Sequence, residues 1–222
     1  MKNCIITGAS SGLGRSLLKE LISENYTVLT IQRTPPMKHK NVHWIKADLK
    51  ESDRLPLHLL QDWTDNNNVQ LLINNAAKYD SGSFGSDQAR EILAINLMSP
   101  IIITNIVEKN MTSGGLIINI NSVAGTHGME YEPIYSASKH GLKGFSKSLR
   151  MQLSSRKINV LDIYPGGINT ELWNDDNPYP GGDIKKTMNP KEIAALIRLM
   201  LDYPYREIIK DIVLYPVQDK HP

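Results

Sequence analysis

Thr7-Gly8-Ala9-Ser10-Ser11-Gly12-Leu13-Gly14 follows the apolar run Asn3 to Thr7 and opens a stretch in which Leu13, Leu17, Leu18, Leu21 and Ile22 recur at helical spacing. The segment therefore reads as strand, tight turn and helix, with the helix running from Gly12 to about Glu24. Gly8, Gly12 and Gly14 supply the backbone angles and the close approach that such a turn needs. Free backbone N–H groups and the positive end of the helix dipole would make it a site for an anion such as a pyrophosphate. The spacing is not G-x-G-x-x-G, and taken alone the turn could equally serve only to reverse the chain.

Outward from this turn, short apolar runs alternate with amphipathic stretches. Asn3 to Thr7, Thr27 to Gln32, Val42 to Lys46, Gln70 to Ile73, Gly115 to Asn121, Asn159 to Ile163 and Ile212 to Leu214 are predicted strands. Strand and helix in alternation imply right-handed crossovers, and so an α/β fold: a doubly wound, Rossmann-type parallel sheet flanked by helices on both faces. Gln88 to Lys109 is the longest helical pattern outside the motifs, with a kink expected near Pro100. Thr34-Pro35-Pro36 and Asn174 to Asp183 have loop composition.

The chain has 222 residues, enough for one sizeable core, so a single domain over 1–222 is expected. Its 25 basic and 23 acidic residues nearly cancel, which argues against a dedicated nucleic-acid binder. The one cysteine, Cys4, lies in an apolar run and fits a buried small hydrophobe in a reducing compartment. The N-terminal apolar stretch is too short for a signal peptide and no run was expected to span a bilayer, so a cytoplasmic location without membrane partners is expected. His39 and His43 are the one close histidine pair and lack matching carboxylates or cysteines, so no metal is expected.

The Thr-Gly-x-x-x-Gly-x-Gly turn resembles the nucleotide turn of the short-chain dehydrogenase/reductase family, and the resemblance extends over nearly the whole chain. It implies cofactor contacts from Thr7, Gly8, Ser10, Ser11, Gly12, Leu13 and Gly14. Where an acidic residue at the end of the second strand would bond a ribose 2′-OH, this chain has Gln32-Arg33. Arg33 can grip a 2′-phosphate, which points to NADP(H), with Ser10, Ser11 and Arg15 assisting; a solvated surface arginine is the alternative. By the same resemblance Asp48 and Leu49 meet the adenine, and Asn74-Asn75-Ala76-Ala77 matches an Asn-Asn-Ala-Gly stretch with Ala77 in place of glycine. Asp48 also suits a helix cap, and Asn74 and Asn75 suit strand-end bonding.

Tyr135 and Lys139, four residues apart, fall on one helical face. A nearby ammonium is expected to lower the phenol's pKa, so that Tyr135 donates a proton to a reduced carbonyl or accepts one from an alcohol. Ser122, at the end of a strand, matches the family's catalytic serine, and Asn96 the asparagine held to carry a water toward the lysine. Singly, these could be a surface pair, a cap and a kinking residue; their order and spacing make them a constellation. Pro165, Gly166, Ile168 and Thr170 match the segment that meets the nicotinamide and its carboxamide.

The resemblance implies a substrate loop at about 171–188, with Trp173 either an apolar or stacking wall or a contact between subunits, and His127 either a pocket residue or a loop hydrogen-bonder. The short C-terminus suggests an open pocket. The expected activity is an NADP(H)-dependent ketone or aldehyde reductase acting on a small carbonyl or alcohol. A cofactor-binding regulatory protein is the alternative. The resemblance further implies a homodimer or homotetramer through the helices near Gln88 to Lys109 and Pro133 to Ser154.

Overall fold

A computed structural model describes residues 2–80, 85–174, 178–201 and 209–217. Seven strands form one wholly parallel sheet: β1 (Lys2–Thr7), β2 (Tyr26–Gln32), β3 (Val42–Lys46), β4 (Val69–Asn74), β5 (Met111–Ile120), β6 (Asn159–Pro165) and β7 (Asp211–Leu214). Their order is β3-β2-β1-β4-β5-β6-β7, so the chain reverses direction across the sheet between β1 and β4. Every expected strand is present, with ends moved by up to a few residues.

The described residues include six α-helices: α1 (Gly12–Ser23), α2 (Leu57–Asn66), α3 (Ser86–Leu93), α4 (Ser99–Val107), α5 (Pro133–Leu153) and α6 (Pro190–Leu201). Alternation along β1 divides the core. Cys4 and Ile6 join Leu17 and Leu21 of α1 and Ile193 and Ile197 of α6, while Ile5 joins Ile103 and Val107 of α4 and Leu149 of α5. Each fully buried aliphatic side chain contributes about 1.5–3 kcal/mol, so both layers are needed to hold the sheet flat between them. Cys4 lies wholly buried in this central strand, and burial pushes its thiol well up.

The long helical stretch takes a different form from the one expected. It runs without a break over Ser86–Asn110, and the irregularity falls before Pro100, as a π turn over Ala94–Met98. Proline cannot donate to the carbonyl four residues back, and the widened turn accommodates that loss. This stretch is also long and apolar enough to cross a membrane, contrary to the expectation that no segment would be. Half of its most apolar window is buried inside the protein, with Ile103 and Val107 packed on the sheet, as in the core helix of a globular fold.

Beneath the sheet's C-terminal half runs a buried polar chain. Asn74 of β4 donates to Asn119 of β5 (2.8 Å), Asn119 donates to Ser146 of α5 (2.8 Å), and Ser146 donates to Asp162 of β6 (2.7 Å). Arg150 closes it by pairing with Asp162 and Asp211. Burial raises the Asp162 carboxyl to about 6, against the pull of Ser146 and Arg150.

Candidate active site

The C-terminal ends of β1, β2, β4, β5 and β6 open into a half-enclosed cleft of about 920 Å³ at the reversal point, where ligands lie in open α/β sheets. One end is made of the β1–α1 turn. Gly8 and Gly12 have φ of +68° and +49°, and a Cβ on Gly14 would stand 2.1 Å from the Gly8 carbonyl oxygen. Asn75 fastens the turn by donating to the Thr7 and Gly8 carbonyls, both at 2.9 Å. Thr7 lies outside the cleft wall: its buried hydroxyl accepts from the N–H groups of Asn75 and Ala76, both at 3.0 Å. That corrects its expected cofactor contact, since the hydroxyl ties β1 to β4 instead.

The turn already binds an anionic group. One Glu171 oxygen accepts from the Gly12 N–H (2.9 Å) and the other from Arg15 (2.9 Å), so a carboxylate marks where a phosphate would sit. Ser10, Ser11 and Leu13 line the same end. Gln32 is buried and turned back on the turn, accepting from the Ala9 N–H (2.6 Å), so no acidic group stands at the end of β2. Arg33 beside it is exposed, lines the cleft and forms no ion pair among the described residues. Asp48 and Leu49 also line it, and Asp48 accepts from the Lys50 N–H (3.2 Å) as a turn residue does. Ala76, Ala77, Pro165, Gly166, Ile168 and Thr170 form the floor between the two ends. These residues fit a dinucleotide: a close-approach backbone cradle, an anion position at a helix N-terminus, and a free cation at the far edge.

At the other end Tyr135 and Lys139, on the first turns of α5, are buried against β5. The Lys139 ammonium stands 5.6 Å from the centre of the Tyr135 ring and donates to the Ile120 carbonyl (2.9 Å). Burial lowers Lys139 to about 7, with the Asp162 charge pulling it back up. Burial pushes the Tyr135 hydroxyl well up, the Glu132 charge adds to this, and hydrogen bonding to Ser122 opposes it. Burial of both groups outweighs the expected lowering by Lys139, and the hydrogen bond from Ser122 favours the phenolate. Ser122 accepts from the Ala124 N–H (3.1 Å) as the cap of a short turn, which leaves its own proton for another acceptor.

Asn96 is buried in the π turn, away from the cleft wall. Its amide accepts from the Lys78 N–H (2.8 Å) and donates to the Lys78 carbonyl (2.9 Å) and to Ser138 (3.1 Å). The side chain thus braces the segment after β4 against α5.

The segment after β6 contributes aromatic side chains to the cleft. Trp173 packs edge-to-face between Tyr79 (4.6 Å) and Tyr179 (5.0 Å), and Tyr79 packs the same way on Tyr135 (5.2 Å). Residues 175–177 of the expected loop Asn174 to Asp183 lie outside the described residues; among the described residues of 171–188 the short helical turn Ile184–Lys186 and a bridge from Met188 to Ile168 depart from loop. His127 lines the cleft and bonds Thr126 through Nδ1 (3.0 Å). Tyr79, Glu132 and Tyr179 were missed in sequence. Tyr79 follows the Asn-Asn-Ala-Ala stretch and Glu132 sits three residues before Tyr135, which were the available signals.

Fold and cleft place the molecule among doubly wound α/β proteins that bind a ligand at the switch point. A family model described as short chain dehydrogenase matches residues 2–180. Carbonyl reductase family member 4 of Xenopus tropicalis is 31% identical over 92% of each chain. Ketoacyl reductase HetN of Nostoc is 26% identical over 94% of this chain and 78% of that one. Among solved structures, a short chain dehydrogenase family protein from Francisella tularensis superposes with a TM-score of 0.84 at 23% identity over 96% of both chains. The chain belongs to the short-chain dehydrogenase/reductase family and is an oxidoreductase.

Proposed function

We propose that the protein is an NADP(H)-dependent carbonyl reductase, working through Tyr135, Ser122 and Lys139. The observation that carries the reading is the continuity of one cleft from the glycine turn and Arg33 at one end to Tyr135 at the other. When bound, the cofactor supplies the hydride. The Gly12 N–H, Ser10, Ser11 and Arg15 take its phosphates, Glu171 giving way to them, and Arg33 takes the 2′-phosphate in a charge-assisted grip. Tyr135 donates its proton to the carbonyl oxygen as negative charge develops there, and the Ser122 hydroxyl holds that oxygen by a hydrogen bond. Lys139, kept charged in part by Asp162, stabilises the tyrosinate that remains. Asn96 is a positioning residue, acting through Lys78 and Ser138.

The names of the related carbonyl and ketoacyl reductases support reduction as the direction. Solved relatives below 25% identity hold NADP in one case and NADH in another, so the choice of cofactor rests on Arg33 and on the absence of an acidic residue beside it. The reading extends to one domain over 1–222 and to a cytoplasmic homodimer or homotetramer. A groove of about 290 Å³ lined by Ile101, Ile102 and Phe145 between α4 and α5 supports the association. The test is NADPH oxidation with a panel of ketones and aldehydes. Tyr135→Phe is expected to lose about 10²–10⁴ in kcat while still binding NADPH; turnover that survives this substitution, or binding with no turnover by the native protein, would sink the reading.

A further inference from the structure

Glu132 is a charged group for which the catalytic scheme has no use. It precedes α5 at the capping position, yet its side chain makes no cap bond, so the helix does not explain it. It is 6% exposed and at the same time lines the cleft, three residues before Tyr135. A carboxylate withdrawn from water is ordinarily paired with a cation or protonated. Among the described residues no lysine, arginine or histidine pairs with it. The nearby cations are committed elsewhere: Lys78 to Glu91 (2.9 Å) and Lys139 to the Ile120 carbonyl (2.9 Å).

Its neighbours are of one kind. The Tyr79 hydroxyl faces Glu132, buried and without a hydrogen bond of good geometry to it or to any other described group. Asp80 adds negative charge beside Tyr79, and Glu130 lies at the rim of the cleft. The edge-to-face series Tyr135, Tyr79, Trp173 and Tyr179 runs along the same end of the cleft. Aromatic faces attract cations, and the attraction grows where water is excluded. Acidic charge, aromatic faces and a buried carboxylate with no cationic partner among the described residues together are the chemistry of a site for a positively charged nitrogen.

We propose that Glu132 and the Tyr79, Trp173 and Tyr179 rings form a subsite for a cationic nitrogen, so that the carbonyl compounds reduced here carry an ammonium group a few bonds from the carbonyl. The proposal rests on the reductase reading above and narrows its substrate class to amino ketones or amino aldehydes.

A second property follows from the same geometry. Burial raises the Glu132 carboxyl to about 7, with Tyr79 pulling it down. The titratable groups facing it are Tyr79 and Tyr135, both of which stay protonated at neutral pH. A permanent cation bound beside Glu132 favours its ionised form and therefore expels a proton near pH 7.

The experiment compares a methyl ketone bearing a trimethylammonium group with its neutral tert-butyl isostere. Calorimetry measures the binding of each to protein saturated with NADP⁺, in buffers of different ionisation enthalpy. Wild type is expected to bind the cation at least about tenfold more tightly, with proton release, and Glu132→Gln to lose both the preference and the release. Equal affinities in wild type, or a preference that survives Glu132→Gln, overturns the proposal. NADPH fluorescence verifies that the variant is folded; should it not be, the wild-type measurement decides, and cation binding without proton release overturns the proposal. Turnover is read separately. A Glu132-dependent binding preference with no NADPH oxidation by any ketone keeps the subsite and removes the reductase reading, whereas turnover without preference does the reverse.

Discussion

The two ends of the cleft are built from different materials. The cofactor end is backbone: three glycines, two of them at positive φ, packed so tightly that a methyl group on Gly14 would overlap the Gly8 carbonyl. The substrate end is side chain: Tyr79 from the segment after β4, Glu132 just before α5, Tyr135 from α5, and Trp173 and Tyr179 from beyond β6. They differ in charge as well, with Arg33 and the N-terminus of α1 at one end and Glu132, Glu130 and Asp80 at the other. A backbone cradle tolerates almost no substitution and recognises something invariant. A wall of side chains can be exchanged residue by residue, so it is where selectivity can vary without disturbing the hydride-transfer geometry.

The sharpest way to break this contrast is to place a side chain in each half. Gly14→Ala is expected to cost about 3 kcal/mol of stability and to abolish NADPH binding, because the obstructing atom is main chain and cannot swing aside. Thermal unfolding and cofactor fluorescence check both. If NADPH binding survives, the cradle is softer than its geometry implies.

Arg33→Ala tests the charge of the cofactor end. It is expected to weaken NADPH binding by about 10–100-fold and leave NADH binding nearly as it was, the loss matching one charge-assisted contact. Equal losses for both cofactors would remove Arg33 from the 2′-phosphate.

Trp173→Ala tests the other end. The expected outcome is an approximately tenfold rise in KM for an aromatic or cationic ketone with NADPH affinity retained, since the wall loses the ring between Tyr79 and Tyr179. A matching loss of NADPH affinity would show that the two ends do not act independently.

The smallest expected effect is on pH dependence. The folded-state value of Glu132 is raised from 4.5 to about 7, so the unfolded chain releases its proton first as pH rises. The contribution to stability is full below 4.5 and is lost as pH rises through about 7. Melting temperatures across this window are expected to fall less steeply in Glu132→Gln, with the residual slope due to Asp162, which is raised from 3.8 to about 6. An unchanged slope would mean that Glu132 is hydrated in solution.

The same division explains what was legible in the sequence. Strand positions and the cradle could be read because glycine spacing and apolar periodicity are local: Gly8, Gly12 and Gly14 stand within one turn of each other, and Tyr135 and Lys139 share a helix face. Tyr79 and Trp173 meet across more than ninety positions of chain, a contact created only by the sheet order. Thr7 was assigned a role by position in a motif; the structure places it one layer behind the surface it was expected to line. A motif names residues that occur together, and three-dimensional packing decides which touches the ligand and which holds another residue in place. The pKa of Tyr135 shows the same limit, since a spacing of four says that Lys139 is near but not that burial of both outweighs their attraction.

Cys4 gives the fold a built-in clock. The only thiol in the chain sits in β1, flanked by β2 and β4 and covered on its own face by α1 and α6. No reagent reaches it while these layers stay closed, and its raised pKa keeps it unreactive even to a small molecule that slips in. Its alkylation rate in the native protein therefore reports the opening of the central sheet itself rather than the fraying of an edge. A nucleotide bound across the ends of β1, β2 and β4 would slow that clock by a factor that grows with its free concentration relative to its Kd.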